Sequence, residues 1–369
     1  MSLSAVKQTP VKSLSFTKQF GFRNTVIQRV EAYLKEHNLS ARDVPAMYVK
    51  TATIAIWWLG AYLLLMLGGF GWPINLALCA LFGLATAGVG FNIMHDAIHG
   101  GYSNSTRINK LFGFTLEVLG ASSFVWRHKH NVWHHTYTNI AGLDEDLETH
   151  GLLRLTPHDD WKPMFRFQHW YALLVYGLVS FSFLIRDIRV FFTGRADKHH
   201  IFPKMTASDR VLFWVGKLTY VTLMFALPLL VFSWWQVLIG YFIVMCTISL
   251  MLAAVFQLAH VMQPATFPEP IGQPLHIANE WAIHEVETTV NFAPNNKWLT
   301  WYAGGLTYQV EHHLFPHICH VHYPKLAPIV KATCEEFGVQ YNSYPTWIDA
   351  LVGHMRLLKY LGKRPPELA

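Results

Sequence analysis

Residues 51–95 read TATIAIWWLGAYLLLMLGGFGWPINLALCALFGLATAGVGFNIMH and contain no Asp, Glu, Lys or Arg. A transmembrane helix needs about 20 predominantly apolar residues, so this stretch is long enough for two of them. Pro73 lies near its middle, and proline ends helices because it lacks a backbone N–H and its ring clashes with the preceding turn. We therefore predict a hairpin of two membrane-spanning helices, at 52–71 and 74–94.

A second stretch without these charges runs from Leu218 to Ala259. Its break lies near Pro228 and Ser233, which predicts spans at 214–232 and 236–258. Lys217 would then lie inside the third span, with its ammonium group reaching the polar edge of the membrane. The sequence therefore predicts an all-α integral membrane protein with four transmembrane helices.

A fifth apolar segment, Phe167 to Ile185, is also long enough to cross a membrane. If it did, the histidines near residues 95–135 and those at 312–313 would lie on opposite sides and could not share one site. Trp170 and Arg186 suit a helix that lies in the membrane interface. We therefore expect an interfacial helix near 167–185.

Charge sets the expected orientation and excludes other classes of protein. Charged residues make up only 14% of the chain, against about 25% in a typical soluble domain. Residues 1–50 carry eight Lys or Arg and no apolar run, which does not fit a signal peptide. The short loops inside the two hairpins carry no Lys or Arg, so the positive-inside rule places both termini in the cytosol. The net charge of +6 follows these polar segments, so we do not expect nucleic acid as a partner.

The chain is therefore expected to have five parts. These are a cytosolic N-terminal segment (1–50), a first hairpin (51–95), a cytosolic segment (96–213), a second hairpin (214–259) and a cytosolic C-terminal segment (260–369). Val26, Val30, Tyr33 and Leu34 share one face of a predicted amphipathic helix at 22–37. The four cysteines contain no C-x-x-C pair, so neither disulfides nor a zinc ribbon is expected.

Histidines cluster at the predicted cytosolic ends of the spans. His95 and His99 stand four residues apart, so on a helix they share a face. An H-x-x-x-H-H cluster follows, then a histidine at the end of the fourth span, then an adjacent pair. The eight candidate metal ligands are His95, His99, His130, His134, His135, His260, His312 and His313.

Eight imidazoles are too many for one zinc site, which has three or four protein ligands. Imidazole also binds iron and copper, and the number fits two metal ions held by a cytosolic helical cap. A lone histidine is more often a surface or hydrogen-bonding residue. For that reason we set aside His128, His150, His158, His199, His200, His276, His317, His320 and His322, which lack a partner at ligand spacing.

At these residues the sequence resembles the membrane fatty-acid desaturases. Their three histidine boxes stand here as His95-Asp-Ala-Ile-His99, His130-Asn-Val-Trp-His134-His135 and Gln309-Val-Glu-His312-His313. Gln309 opens the third box where most members have His, which is typical of the front-end subgroup. The likeness runs from Phe16-Thr17-Lys18 to Tyr344-Pro345-Thr346 and is strongest to cyanobacterial Δ6 acyl-lipid desaturases.

The resemblance implies a di-iron centre, O2 as co-substrate and electrons from an external carrier. Two departures from the family pattern matter. Gln309 occupies a ligand position, and Phe256 stands where some members have an asparagine that contacts iron through water. Besides the eight histidines, the candidates for a weaker ligand or for a residue that orients the ligands are Gln309, His284, Asp96 and Asn131.

The electron donor and acyl carrier follow from the same resemblance. No His-Pro-Gly-Gly haem motif occurs in this sequence, so we expect a separate ferredoxin or cytochrome b5. Lys198, Lys204 and Arg210 could bind an acidic carrier, although positive-inside charges would look the same. A glycerolipid is the favoured substrate, with acyl-CoA and acyl carrier protein as alternatives. The expected location is a bacterial cytoplasmic or thylakoid membrane, with the active site on the cytosolic face.

The expected activity is insertion of a cis double bond at Δ6 of an 18-carbon linoleoyl or α-linolenoyl chain. Two alternatives stay open at this point. A membrane di-iron hydroxylase would share the histidine cage but add oxygen to the carbon, and a zinc membrane hydrolase or receptor would hold fewer ligands. The Gln309 box and the end-to-end likeness favour desaturation, and metal content would separate the zinc alternative.

Overall fold

The computed structural model describes residues 14–17, 21–197, 200–272 and 274–365. Three residues considered above lie outside these ranges: Lys18 of the family resemblance, the candidate docking residue Lys198, and His199.

The described residues form an almost entirely helical chain. In chain order the α-helices are α1 (Phe22–Glu36), α2 (Pro45–Leu67), α3 (Trp72–Val89), α4 (His95–His99), α5 (Thr106–Gly113), α6 (Thr115–Val118), α7 (Ser123–Trp126), α8 (His135–Tyr137), α9 (Gln168–Tyr176), α10 (Val179–Thr193), α11 (Ala207–Val221), α12 (Trp234–His260), α13 (Trp281–Glu287), α14 (Lys297–Tyr302), α15 (Gln309–Leu314), α16 (Tyr323–Phe337) and α17 (Trp347–Leu361).

Shorter elements connect these helices. Wider π-helical turns lie at Gly90–Met94, Arg127–His134 and Thr222–Ala226, and 3₁₀ turns lie at Glu145–Leu147, Pro163–Phe167, Pro228–Leu230 and His320–His322. Two parallel strand pairs join distant segments: β1 (Ser15–Phe16) with β2 (His276–Ile277), and β3 (Asn291–Phe292) with β4 (Ser343–Tyr344).

Four helical segments of the described chain are long and apolar enough to cross a membrane, which confirms the predicted fold class. They are Pro45–Leu67, Trp72–His99, Ala207–Leu230 and Trp234–His260. The second is the most interior, with 61% of its apolar window buried, because α3 packs against both α2 and α12. The molecule is therefore an integral membrane protein built around α3.

The predicted spans differ from the observed helices at their ends, and local chemistry explains why. Helix α2 begins at Pro45, because proline suits the first helical turn, where no N–H partner is needed. It then continues through Lys50, whose charge is buried against His320. Helix α11 begins after Thr206, whose side chain forms a capping box with Asp209. An absence of charge is therefore a good sign of a span and a poor guide to its ends.

The segment predicted as one helix near 167–185 is instead a bent pair. Helices α9 and α10 meet at an angle of 72°, and α10 runs on to Thr193. They have 9 and 15 residues, and each alone is shorter than the ~20 residues that a span requires. The interfacial position of this segment stays a prediction.

The amphipathic helix predicted at 22–37 is confirmed as α1. Phe22, Val26, Val30 and Leu34 are buried where α1 packs against α16, and Tyr33 is half-buried beside them. Helix α1 thereby joins the N-terminal segment to the C-terminal segment, close to the third histidine box.

One glycine allows the loop after α14 to approach the helix that carries the first box. Gly304 has φ +63°, and a Cβ at this position would overlap the backbone carbonyl of Phe91. A left-handed backbone costs a non-glycine residue about 1–2 kcal/mol. Gly194, at the end of α10, has φ +68° with nothing near its missing Cβ.

Gly304→Ala should therefore destabilise the protein more than Gly194→Ala. Both changes carry the conformational cost, but only the methyl group added at position 304 also collides with a neighbouring backbone. Thermal unfolding of each purified variant in detergent measures this difference. Equal unfolding temperatures for the two variants would contradict the close approach at Phe91.

Candidate metal centre

The first histidine box follows directly from the second apolar span. The π-helical turn Gly90–Met94 leads without a break into α4, which begins at His95 and ends at His99. The two rings share one face of the helix, with centroids 4.7 Å apart. The prediction that these two histidines lie together is confirmed by the geometry.

The second box lies on a π-helical turn, Arg127–His134, that passes into α8. A π-helix has i→i+5 hydrogen bonds and a wider turn than an α-helix, and such turns are frequent at functional sites. The wider turn brings His130, His134 and His135 to one side, with ring centroids 4.8–5.7 Å apart. Asn131 does not face this group; its amide donates to the carbonyl of Ile98 at 3.1 Å and joins the two boxes.

The third box and the end of the fourth span complete the cluster. His312 and His313 lie on α15, and His260 is the last residue of α12. The His260 ring lies 4.6 Å from that of His134 and 4.9 Å from that of His313. Residues that are far apart in sequence therefore meet in one buried volume.

Seven of the eight histidines form two groups, and within each group the ligand atoms lie within 4.8 Å of one another. One group holds His95, His99, His130 and His312, and the other holds His134, His260 and His313. His135 also lies within that distance of His312 and His313. The arrangement can hold two metal ions side by side. The role of each histidine as a ligand stays a prediction.

The free nitrogen atoms of these rings fit a bound metal. The Nε2 atoms of seven of the eight histidines are buried and have no hydrogen-bond partner among the described residues: those of His95, His99, His130, His134, His135, His312 and His313. Buried polar atoms in proteins are nearly always paired, so a cluster of free ring nitrogens requires an explanation. Coordination of metal ions would satisfy all of them.

Carboxyl groups accept hydrogen bonds from two of the rings through their Nδ1 atoms. His134 Nδ1 donates to both carboxylate oxygens of Asp144 at 3.1 Å, and His313 Nδ1 donates to Glu285 Oε2 at 2.6 Å. Metal-binding histidines usually make such a bond through the other ring nitrogen, which orients the ring and fixes its tautomer. Asp144 and Glu285 carry no sequence signal that could have identified them.

Four of the rings outside the spans favour the neutral form that binds metals, whereas at His134 the neighbouring Asp144 and Asp146 outweigh burial and raise the pKa. Burial, and then the neighbouring imidazoles, lower the pKa values of His130, His135, His312 and His313 well below the usual histidine value. A neutral imidazole offers a lone pair to a cation, whereas a protonated ring offers none.

Two of the additional candidates lie close to the cluster without joining either group. Gln309 is fully buried, and its amide nitrogen lies 3.0 Å from His260 Nε2, while its Oε1 atom has no partner within the described chain. His284 is buried with its ring 5.2 Å from that of Phe16. His284 does not belong to any metal-binding group of His, Cys, Asp and Glu among the residues that the structure describes.

Asp96 contacts His320, one of the histidines that have no partner at ligand spacing in the sequence. His320 donates to Asp96 through both its backbone N–H, at 3.2 Å, and its Nδ1 atom, at 2.8 Å. Lys50 donates to the other ring nitrogen of His320 at 2.8 Å. This buried chain joins α2, the first box and the segment after the third box. No spacing in the sequence signals it, because its members are 224 and 270 residues apart.

A cavity of about 270 Å³ reaches the histidine cluster. Near the metal groups its wall includes Trp126, whose ring lies 4.3 Å from that of His130, and Phe256, 6.0 Å from His130. Phe256 is therefore an apolar wall and offers no hydrogen bond. One end of the cavity passes between α3, α6 and α12, where leucine, methionine and isoleucine side chains line it.

Comparisons with known proteins agree with this site. The family model described as "Fatty acid desaturase" matches residues 70–345. The sn-1 linoleoyl-lipid 6-desaturase of Arthrospira platensis is 42% identical over 96% of this chain and 96% of its own length. The protein of the same name from Synechocystis is 40% identical, over 95% and 98%.

A more distant relative belongs to the same family. The acyl-lipid (8-3)-desaturase of Physcomitrium patens is 35% identical over 92% of this chain and 72% of its own length. A family model that covers most of the chain, and relatives that align almost from end to end, account for the four apolar helices, the histidine cluster and the cavity together. The chain belongs to the fatty acid desaturase family and is an oxidoreductase of that class.

Proposed function

We propose that this protein is a front-end desaturase that inserts a cis double bond at Δ6 of an 18-carbon chain, linoleoyl or α-linolenoyl, carried by a glycerolipid. The reaction would consume O2 and two electrons at a pair of iron ions. The observation that carries the proposal is the pair of histidine groups with free ring nitrogens at the wall of an apolar cavity.

The two groups suggest which residues would hold each iron. His95, His99, His130 and His312 would hold one, and His134, His260 and His313 the other, with His135 between them. Bound iron would supply the oxygen-dependent removal of hydrogen from an unactivated C–H bond, a step beyond the reach of any protein acid or base. Gln309 is proposed to orient His260, in line with the 3.0 Å contact between them.

The protein's own contribution is to position the acyl chain and to exclude water. The cavity would hold the chain so that one pair of neighbouring carbons lies beside the histidine groups. Trp126 and Phe256 would keep that region apolar. An existing cis bond at carbon 9 would bend the chain and help to bring carbons 6 and 7 to the histidine groups, which a saturated chain would do poorly.

The position of the new bond is argued from the relatives' names. Two full-length relatives at 42% and 40% identity are named 6-desaturases acting on linoleoyl-lipid. The 35% identical relative is named for a different position. The higher identity favours carbon 6 and an esterified lipid for this chain.

We further propose a separate electron donor, with a ferredoxin favoured over cytochrome b5. Lys204 and Arg210 are exposed and remain candidates for binding an acidic carrier. Both termini and all three boxes would face the cytosol of a bacterial cytoplasmic or thylakoid membrane, as the positive-inside rule predicts.

The iron content should be about two per chain, by analogy with other two-metal sites. His99→Ala, His135→Ala, His260→Ala and His313→Ala should each abolish turnover and lower bound iron, because each removes a proposed ligand. Glu285→Gln should keep the fold but weaken iron binding by about 10–100-fold, since a neutral amide replaces the carboxyl group that accepts the hydrogen bond from His313. Elemental analysis after anaerobic, iron-replete purification measures this.

A matched control is His37→Ala, because His37 is exposed at the end of α1 and its Nδ1 atom lies 3.0 Å from the Tyr33 carbonyl of the same helix. His200 is a poor control, since its ring is buried and bonded to Asp197 and to the carbonyl of Leu143. Stoichiometric zinc in iron-replete protein, or full iron content in all four ligand variants, would contradict the proposed site.

The proposed topology should appear in labelling of single introduced cysteines with a membrane-impermeant thiol reagent. Asn104→Cys and Asn295→Cys lie at exposed positions near the first and third boxes and should react from the same side. Val231→Cys, exposed between α11 and α12, should react only from the opposite side. The unmodified chain measures the background of its four native cysteines. Reaction of Asn104→Cys and Asn295→Cys from opposite sides would exclude a shared centre.

The product is checked by expression in a host fed linoleic acid, followed by gas chromatography with assignment of double-bond positions. Linoleate should become γ-linolenate and α-linolenate should become stearidonate, while stearate should react poorly. The His135→Ala variant serves as the inactive control. A bond at carbon 5, a bond on the methyl side of carbon 9, or a hydroxylated product would each refute the Δ6 assignment.

A further inference from the structure

A largely buried group of four charged side chains lines the same cavity beside the histidines. The members of this mouth cluster are Lys129, Glu145, Asp146 and Arg186. Lys129 Nζ lies 2.7 Å from Asp146 Oδ1, and an Arg186 guanidinium nitrogen lies 3.3 Å from Glu145 Oε1. The side chains of Lys129 and Glu145 are each only 8% exposed. Burying charged groups costs free energy, so their position at the wall of an apolar cavity requires an explanation.

Two atoms of the mouth cluster lack hydrogen bonds. Arg186 Nε and Glu145 Oε2 are both buried, and the part of the chain that the structure describes offers a hydrogen-bond partner to neither. Lys129 approaches Glu145 Oε2 only to 4.0 Å, too far for a hydrogen bond. The Phe183 ring contacts both cations: its centroid lies 4.9 Å from Lys129 Nζ and 4.5 Å from Arg186 Cζ. One hydrogen-bond donor and one hydrogen-bond acceptor are therefore available to a ligand.

The position of the mouth cluster beside the histidines fits the chemistry of a bond at carbon 6. Asp146 Oδ2 lies 3.3 Å from His134 Nδ1, so the mouth cluster adjoins the metal groups. Five carbon–carbon bonds of about 1.5 Å separate carbon 6 from the ester carbon, a reach of less than ~8 Å. The polar ester must therefore lie close to the histidines, inside the buried part of the cavity. A carbonyl buried without a donor would cost free energy.

The opposite end of the cavity suits only the hydrocarbon tail. Leu116, Leu119, Met245, Ile248 and Leu252 line it, and none of them can bond to an ester. Glu148 and His150 also line the cavity, and because their side chains are 44% and 69% exposed, we infer that the polar end opens to solvent beside them. An acyl lipid is therefore expected to bind in one orientation, with its head group at the mouth cluster and its tail between α3, α6 and α12.

We propose that the mouth cluster is the binding site for the ester and polyol part of an uncharged glycerolipid. Arg186 Nε–H donates to the ester carbonyl, and Glu145 Oε2 accepts from a hydroxyl group of the lipid. The two cations and two carboxylates of the cluster balance, and Asp144 and Glu148 add negative charge nearby. This charge disfavours the phosphates of acyl-CoA or acyl carrier protein. The inference rests on the proposed function and adds the residues that select the carrier.

A pair of lipid probes tests the carbonyl contact. One is a hexose-headed glycerolipid with a linoleoyl ester at sn-1, and the other carries the same chain in an ether linkage, without the carbonyl. Binding of each to the full-length, iron-loaded protein in detergent, kept anaerobic so that no turnover occurs, is measured by competition against radiolabelled ester lipid. The unmodified protein should prefer the ester by about tenfold, the effect of one hydrogen bond to a charged group.

The double variant Glu145→Gln/Arg186→Gln keeps the site neutral and should bring the ester-to-ether ratio close to one. Arg189→Gln is the matched control, because Arg189 lies one turn further along α10, is exposed and does not line the cavity. This control should retain the preference. In the iron-loaded double variant, an ester group that is bound less firmly should allow the acyl chain to shift along the cavity. The product should then be a mixture of double-bond positions.

Three results would overturn the proposal: equal binding of ester and ether by the unmodified protein, an unchanged preference in the double variant, or tighter binding of linoleoyl-CoA than of the neutral lipid. The first and third comparisons need no variant, so they decide the matter even if the double variant does not fold. Ester preference without any Δ6 product would refute the proposed function alone. Δ6 product without ester preference would refute the mouth cluster alone.

Discussion

Burial of eight imidazoles around one volume is the constraint on which the rest of this structure depends. Free ring nitrogens that face one another away from water are unfavourable unless a cation joins them. The surrounding chain positions the rings. Carboxyl groups accept hydrogen bonds from His134 and His313, and π-helical turns precede or carry the first two boxes. Metal binding and folding are expected to be linked here, because the cluster joins segments from distant parts of the chain.

The charged residues around this centre have two different roles. Asp144 and Glu285 accept hydrogen bonds from His134 and His313 and so orient the rings. In the mouth cluster, Arg186 and Glu145 keep one free donor and one free acceptor at the cavity wall. A position-specific reaction on an acyl chain needs such a reference point, because methylene groups are chemically alike and only the ester and the existing double bonds distinguish one position from another.

Much of the architecture could be predicted from the sequence because it depends on local composition. Uncharged stretches predict four spans, and the spacing of apolar residues predicts α1 with its buried Val26 and Val30. The histidine spacings also show which rings share a helix face. The ends of the elements were less predictable, since capping at Thr206 and burial of Lys50 depend on particular neighbours.

The sequence by itself determined the membrane class, the helical hairpins and the set of eight candidate ligands, because each is encoded in residues that are near one another along the chain. Only the tertiary structure decided how those ligands divide between two groups, that His320 bonds to Asp96 and Lys50, and that Arg186 approaches Glu145 at the cavity wall. These contacts join segments up to 270 residues apart, and sequence spacing carries no information about pairs that only folding brings together.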